Sequence, residues 1–345
     1  MNRYKITLKP LDWFFFGGEQ TFDNGETQSF IAFSNYMPQQ TTLLGMVRYQ
    51  LLKQSGLLLT GNKEDDTDAK LESTKDLVGS CSFDIESSSI QKFGKILNLS
   101  PVFIQKGEHR LIPIPLCYGM NVVFEKEKVW MNGKTTNQII HAPEFNEKYY
   151  TNFCKYIDDS ENVWFDDDIF VSSMQIGITK AGDNDANKNG FFKQKSVRFK
   201  DNDTSFAFYL ELEDGAEIKN DFVFMGAQRS CFKMDVIPNN EQLFIPNHPE
   251  GSILLCSPSY IYDTEELNDN CLQHWSGSLH FRNMHQRTDG RLNSGAVNYH
   301  RHSSLCSFLS AGSVIFYEES HLEILKKLLC NSNLQQIGYN IFNVK

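Results

Sequence analysis

The side chains best equipped for chemistry crowd the last third of the chain, where His300-Arg301-His302 follows closely on His274, His280 and His285. Imidazoles at that density can bind a metal or move protons. A metal site wants three or four ligands at a repeating spacing, however, and no Cys or carboxylate recurs beside these histidines in such a pattern. The plainer expectation is exposed or RNA-facing histidines. A second candidate is the run of six carboxylates at 158, 159, 161, 166, 167 and 168. It could in principle hold Mg²⁺, but acidic runs are usually solvated faces, and this one is expected to mark a junction between domains. Eight cysteines are scattered with no C-x-x-C pair, which is neither a zinc framework nor a disulfide scaffold, so they are expected to be reduced and mostly buried thiols. Glycine-rich phosphate loops of Walker or Rossmann spacing, a nucleophile elbow and a Gly-Gly-Asp-Asp-like nucleotidyltransferase motif are all missing. The sequence therefore predicts no cofactor, no metal and no recognisable catalytic engine.

Two segments are basic against the chain's overall charge of −10. From Lys180 to Lys200 there are six cations (Lys180, Lys188, Lys193, Lys195, Arg198, Lys200) against Asp183 and Asp185, with Phe191, Phe192 and Phe199 interleaved. From His280 to His302, Arg282, Arg287, Arg291 and Arg301 stand against Asp289 alone. Cations that can track phosphates, beside rings that can stack on bases, suit single-stranded RNA. A solvated hairpin and loop would look the same. The acidic balance of the rest argues against non-specific coating of nucleic acid, which needs many phosphate-neutralising side chains.

The elements that must position these residues follow from periodicity. Residues 4–9 alternate like a half-buried strand, and 41–54 carry Leu43, Leu44, Val47 and Leu51 at helical spacing. Thr41 or Thr42 is expected to cap that helix, and Gly56 to end it. Residues 60–76 are polar, acidic and aperiodic, and predict a solvated loop or disordered insertion. A hairpin is expected around Lys106-Gly107-Glu108, closed by Pro113 and Pro115. Val171 to Lys180 and Phe191 to Phe199 read as arms of a hairpin with its tip at 183–190. Phe206, Phe208, Leu210 and Leu212 alternate in the run that follows. Near the end, Gly312 to Tyr317 predicts a strand, Ser320 with Glu323 a capping box opening a helix, and Ile341 to Val344 a last strand. At 345 residues two domains are expected, 1–160 and 161–345. The fold class is α+β, with a strand-helix-strand pattern at each end that suggests two tandem ferredoxin-like (RRM-like) domains. No apolar run has the length of a membrane span, and the N-terminus leads into alternation instead of a signal segment, so a cytoplasmic protein is expected.

Several blocks, in order, resemble the Cmr-complex branch of the RAMP superfamily, in the group that caps the 5′ end of a CRISPR guide RNA. Leu11-Asp12-Trp13-Phe14-Phe15-Phe16 is similar to the opening Leu-Asp-x-x-Phe-Phe block, and Pro38 to Arg48 to the proline turn into a Gly-x-x-Arg helix. Ile112-Pro113-Ile114-Pro115 resembles the Pro-x-Pro block. Gln175-Ile176-Gly177-Ile178 with Asn189-Gly190-Phe191-Phe192 resembles the family's hairpin strand and its return arm. Met225-Gly226-Ala227-Gln228-Arg229 and Ala311-Gly312-Ser313-Val314 are similar to two later glycine-bearing blocks. Three departures stand out. Gly17-Gly18-Glu19-Gln20 replaces the family's Arg-Asp-Gly-Arg, Ala227 and Gln228 stand where Gly and Glu are usual, and the glycine-rich loop before the last strand is reduced to Gly338.

The resemblance implies a non-catalytic subunit that binds the crRNA 5′ handle. It also implies contacts with the large polymerase-like subunit and with the first backbone RAMP subunit, and a thumb-like hairpin that crosses the guide. Together with the two basic segments it gives an expected RNA-contacting set of Thr41, Thr42, Arg48, Lys180, Lys188, Phe191, Phe192, Lys193, Lys195, Arg198, Arg229, Arg282, Arg287, Arg291 and Arg301. The competing expectation is a RAMP-fold endoribonuclease that processes precursor crRNA, with His300 or His302 as general base.

Overall fold

The structure is a computed structural model. It describes residues 2–17, 31–62, 64–80, 82–85, 87–120, 122–125, 129–131, 134–136, 139–141, 154–178, 191–226, 229–281, 284–286, 299–301 and 305–345. The fold is mixed α+β, with mostly antiparallel sheets. Two compact units are each assembled from three segments. One comprises Met1–Gly107, Asp167–Asn240 and His280–Cys306, and the other Glu108–Asp166, Glu241–Leu279 and Ser307–Lys345.

In the first unit the opening strand, Asn2–Pro10, lies between Thr204–Leu212 and Ser230–Pro238, both antiparallel to it. Asp221–Met225 adds an edge beyond Ser230–Pro238, and Phe103–Lys106 and Ile96–Leu99 pair with Thr204–Leu212. The expected alternation in the Thr204–Leu212 strand gives way to burial on both faces: Ala207 and Tyr209 are buried as fully as Phe206, Phe208 and Leu210. That is the signature of a central strand. The helix Gln40–Gln54 buries Leu43, Leu44, Val47 and Leu51, each worth about 2 kcal/mol of apolar burial. Gln40 anchors one end by donating to the Ser100 carbonyl at 2.9 Å, and Lys53 reaches Asp221 at 2.7 Å at the other.

Three local expectations need correction. Thr41 and Thr42 lie inside the first turn of that helix. Its N-cap is Gln39, whose carbonyl, not a threonine hydroxyl, receives the Thr42 and Leu43 amides. Gly56 does end it, at φ 69°, with its own amide on the Lys53 carbonyl and that of Leu57 on the Leu52 carbonyl. The stretch expected to be a loop contains the helix Asp68–Val78, because Thr67 accepts from the Lys70 amide and caps it while Leu77 and Val78 are buried. The Ser320–Glu323 capping box does not form. Ser320 sits in a 3₁₀ turn, Glu319–His321, and Glu323 pairs instead with Lys326 at 2.8 Å.

The second unit is organised by a four-stranded antiparallel sheet in the order Cys271–Trp275, Val314–Tyr317, Ser252–Leu255, Phe342–Val344. The helix Leu322–Leu329 covers one face with Leu322, Leu325 and Leu329, packed on Ile253, Leu255, Ile315 and Tyr317. Cys117, Leu254, Val314 and Phe316 form the cluster on the other. A smaller hairpin, Cys154–Ile157 with Val163–Phe165, pairs through Ile157 with Ile112 of the strand His109–Pro113. No helix among the described residues is long and apolar enough to cross a membrane.

Candidate nucleic-acid interface

The best-formed candidate site is a three-stranded sheet in the first unit. The expected arms appear as Phe170–Ile178 and Phe191–Phe199, antiparallel over nine pairs from Phe170↔Phe199 to Ile178↔Phe191. A third strand, Ile31–Phe33, joins the return arm in parallel, with Lys193↔Ile31 and Lys195↔Phe33. No pattern along the chain announces that partner.

Registers decide which side chains share a face, because directly paired residues point the same way. Lys195 is flanked by Met174 on one neighbour and Phe33 on the other, and Lys193 by Ile176. Met174, Ile176 and Phe33 are 46%, 62% and 51% exposed. Two ammonium groups therefore alternate with apolar side chains that water still reaches. None of the 21 residues in the three strands is acidic, in a chain that carries 43 carboxylates. The opposite face of the return arm buries Gln194 and Ser196, whose side chains hydrogen bond at 3.2 Å.

Arg198 does not join the two lysines. It lies on the other parity of the strand and places its guanidinium over the Trp13 ring, with Cζ 4.9 Å from the centroid. This contact ties the return arm to the opening phenylalanine block. The backbones agree: the Phe14 amide donates to the Val197 carbonyl at 2.7 Å, and the Val197 amide to the Phe14 carbonyl at 3.0 Å. Phe14 is 1% exposed, and its ring meets those of Phe16, Phe199, Phe206 and Phe232.

Two further pairs of the resembling blocks meet inside their own units. Gly226, at φ 74°, packs so closely on the first block that a Cβ there would lie 2.4 Å from the Phe15 carbonyl oxygen. In the second unit Gly312, at φ 86°, stands against the Ile114 carbonyl in the same way, at 2.3 Å, and accepts the Leu116 amide at 2.8 Å. Close backbone approach is the physical reason for a glycine in each of these blocks.

The other candidates are placed as follows. Thr41 and Thr42 are half-buried in the first helical turn. Arg48 is half-buried in the same helix, with Cζ 5.5 Å from the Phe93 ring centroid. Arg229 is exposed and holds a left-handed φ of 52° at the start of the strand Ser230–Pro238. Neither arginine lies in the three-stranded sheet. Phe191, Phe192 and Arg301 occupy strands, but their side chains lie outside the described set, as do Lys180, Lys188, Arg282, Arg287, Arg291 and the tip 183–190. His300 pairs across a short ladder with His285.

The first half of the acidic run, 158–161, is a turn, and its second half lies in the short helix Asp166–Ile169. Asp158, fully buried, accepts from the amides of Ser160 and Asn162 at 2.9 and 2.8 Å, and from Asn162 Nδ2 and Trp164 Nε1 at 3.1 Å each. Burial alone would raise its pKa, but these donors outweigh burial and hold the carboxyl below its usual range. His109 Nδ1 lies 3.6 Å from Asp158 and 3.5 Å from Asp159, and Asp159 also pairs with Arg110 at 3.2 Å. With four donors already on Asp158, the chemistry of this corner is that of a hairpin closure. Among the described residues the cysteines at 117, 231, 256, 271, 306 and 330 form no disulfide. Burial pushes the thiols of Cys117 and Cys271 up to about 11 and that of Cys256 to about 12, so they are poor nucleophiles.

The α+β scaffold thus presents a basic, acid-free three-stranded sheet on which two lysines alternate with exposed apolar side chains. Residues 6–141 match the family model described as CRISPR-associated protein (Cas_Cmr3). The fold is similar over the whole chain to one in a cryo-EM structure of the Type III-B Cmr-beta bound to cognate target RNA. The TM-score is 0.51 at 16% identity, covering 99% of this chain and 96% of that one. A second structure, of Cmr-beta bound to cognate target RNA and AMPPnP in state 1, gives 0.51 and 16% over 98% and 95%. No curated protein matches. The family model matched over residues 6–141 agrees with the resemblance carried by the sequence blocks, and the two solved structures share the fold of this chain.

Proposed function

We propose that this chain is a non-catalytic subunit that holds the 5′ handle of the crRNA in a type III RNA-guided effector complex and bridges the large polymerase-like subunit to the backbone subunits. In this reading its two units are elaborated RRM-like domains, and the hairpin sheet crosses the guide where handle meets spacer. The observation that carries it is the acid-free sheet on which Lys193 and Lys195 alternate with exposed Phe33, Met174 and Ile176. Lysines there meet phosphates, and the apolar side chains pack against bases, without any paired acid and base.

The experiment is reconstitution of the complex with and without this chain, followed by sequencing of the bound RNA ends and crosslinking to labelled guide. Handle ends retained only when the chain is present, with adducts on the 191–199 strand, are expected. Intact handle ends without it would remove the role.

A further inference from the structure

A second exposed face lies in the same unit, on the edge of its main sheet, and the hairpin reading does not use it. In the edge strand Asp221–Met225, Val223 and Met225 point into the core, so Phe222 and Phe224 point out, 54% and 60% exposed. Phe222 pairs with Lys233, which pairs in turn with Lys9, while Phe224 pairs with Cys231. Exposed Leu11 adjoins this end, its amide on the Cys231 carbonyl at 3.0 Å. Two phenylalanines on alternate residues of one strand stand about 6.7 Å apart, a separation that takes one base on each ring.

The charge of this face selects the occupant. Across the three outermost strands the outward positions carry Arg3, Lys5, Lys9 and Lys233 against Asp235 alone. Arg3 is held by Glu211 at 3.2 Å, Lys5 by Gln105 at 2.7 Å, and Lys233 shares Asp235 at 3.0 Å. With Glu211 and Asp235 set against the four cations this face keeps a net charge of about +2, in a chain of net charge −10, and Lys9 and Lys233 stand in the same row as Phe222. An apolar protein surface would gain nothing from those lysines, whereas a phosphate backbone would.

We infer that the Phe222/Phe224 face, with Lys9 and Lys233, is a second binding surface for single-stranded RNA, on which two successive bases stack. It is independent of the hairpin sheet, and the test is arranged to keep the two apart. Binding of a short fluorescent oligouridine to the full-length free chain is measured by anisotropy in a Lys193→Ala/Lys195→Ala background. In that background the share of binding due to the hairpin sheet is lost, and the binding expected to remain is that of the Phe222/Phe224 face. Adding Phe222→Ala/Phe224→Ala is expected to weaken it about tenfold or more, and Phe222→Leu/Phe224→Leu nearly as much, because leucine keeps the apolar area but has no stacking face. Lys9→Gln/Lys233→Gln is expected to lower the salt slope by about 1.4 log units for two phosphate contacts. No binding in the hairpin background, or leucine and alanine variants that bind like their parent, would overturn the inference. Unchanged RNA affinity with failed incorporation into the assembled complex would give the face to a protein partner instead.

Discussion

Gly226 packs against Phe15 at a distance no other residue could keep. Its position leaves 2.4 Å between a notional Cβ and the Phe15 carbonyl oxygen, and its φ of 74° is one that L side chains avoid. The turn after the edge strand is thereby seated on the opening phenylalanine block, which in turn shares two backbone hydrogen bonds with the return arm at Val197. The position of the candidate RNA sheet is inherited from this chain of contacts.

Gly226→Ala should therefore cost more than about 2 kcal/mol, from left-handed strain plus the backbone clash, measured as a shift in the denaturation midpoint at constant slope. A variant as stable as the parent would mean the turn can move off Phe15.

Asp158→Ala should be comparably damaging, by about 3 kcal/mol, since it leaves buried donors from Asn162 and Trp164 without their acceptor. Asp158→Asn should recover only part, because its NH₂ group meets donors where the carboxylate met them with lone pairs. The depressed carboxyl pKa adds an acid dependence of known sign. Its contribution is present above the ordinary carboxylate range and is lost as pH falls through the folded value. A wild-type acid-unfolding curve that matched that of Asp158→Asn would contradict the assignment.

His248 gives a second pH test. Nδ1 lies 2.9 Å from the Ser252 hydroxyl, which itself donates to the Pro249 carbonyl, and Nε2 lies 2.9 Å from Asn343 Oδ1. Burial depresses its pKa below 6.5, against a weaker opposing effect from the Asn343 contact. The neutral ring thus contributes stability that is present above pH 6.5 and lost as pH falls through the folded pKa. Melting temperature should drop as pH falls below about 6.5, and His248→Asn should flatten part of that drop, His274 being depressed in the same direction. An identical pH dependence in the variant would exclude His248 as a contributor.

Much of this architecture was legible in local pattern. Alternation and aromatic content located the arms at 170–178 and 191–199 to within a residue or two, and the glycine-bearing blocks marked places where backbone meets backbone. What escaped was non-local. Ile31–Phe33 is too short to announce itself, and its parallel pairing with Lys193 to Lys195 is fixed only in the folded chain. Phe33, Met174 and Ile176 were missed for the same reason, since nothing along the chain shows that they flank the two lysines. A count of cations on the arm likewise groups Arg198 with Lys193 and Lys195. Strand parity and Trp13 separate it from them. At the other end, the reduced glycine loop hides Asn340, which holds φ 51° itself and clamps Tyr260 and Leu329 through its side-chain amide.

The most direct test of the account is the salt dependence of guide binding by a complex assembled with Lys193→Ala/Lys195→Ala. Arg198 is left in place because removing it would strip the cover from Trp13. Two lost phosphate contacts should flatten the slope by about 1.4 log units and shift the positions at which target RNA is cut. An unaltered slope together with unshifted cleavage positions would contradict the claim that this sheet holds the guide.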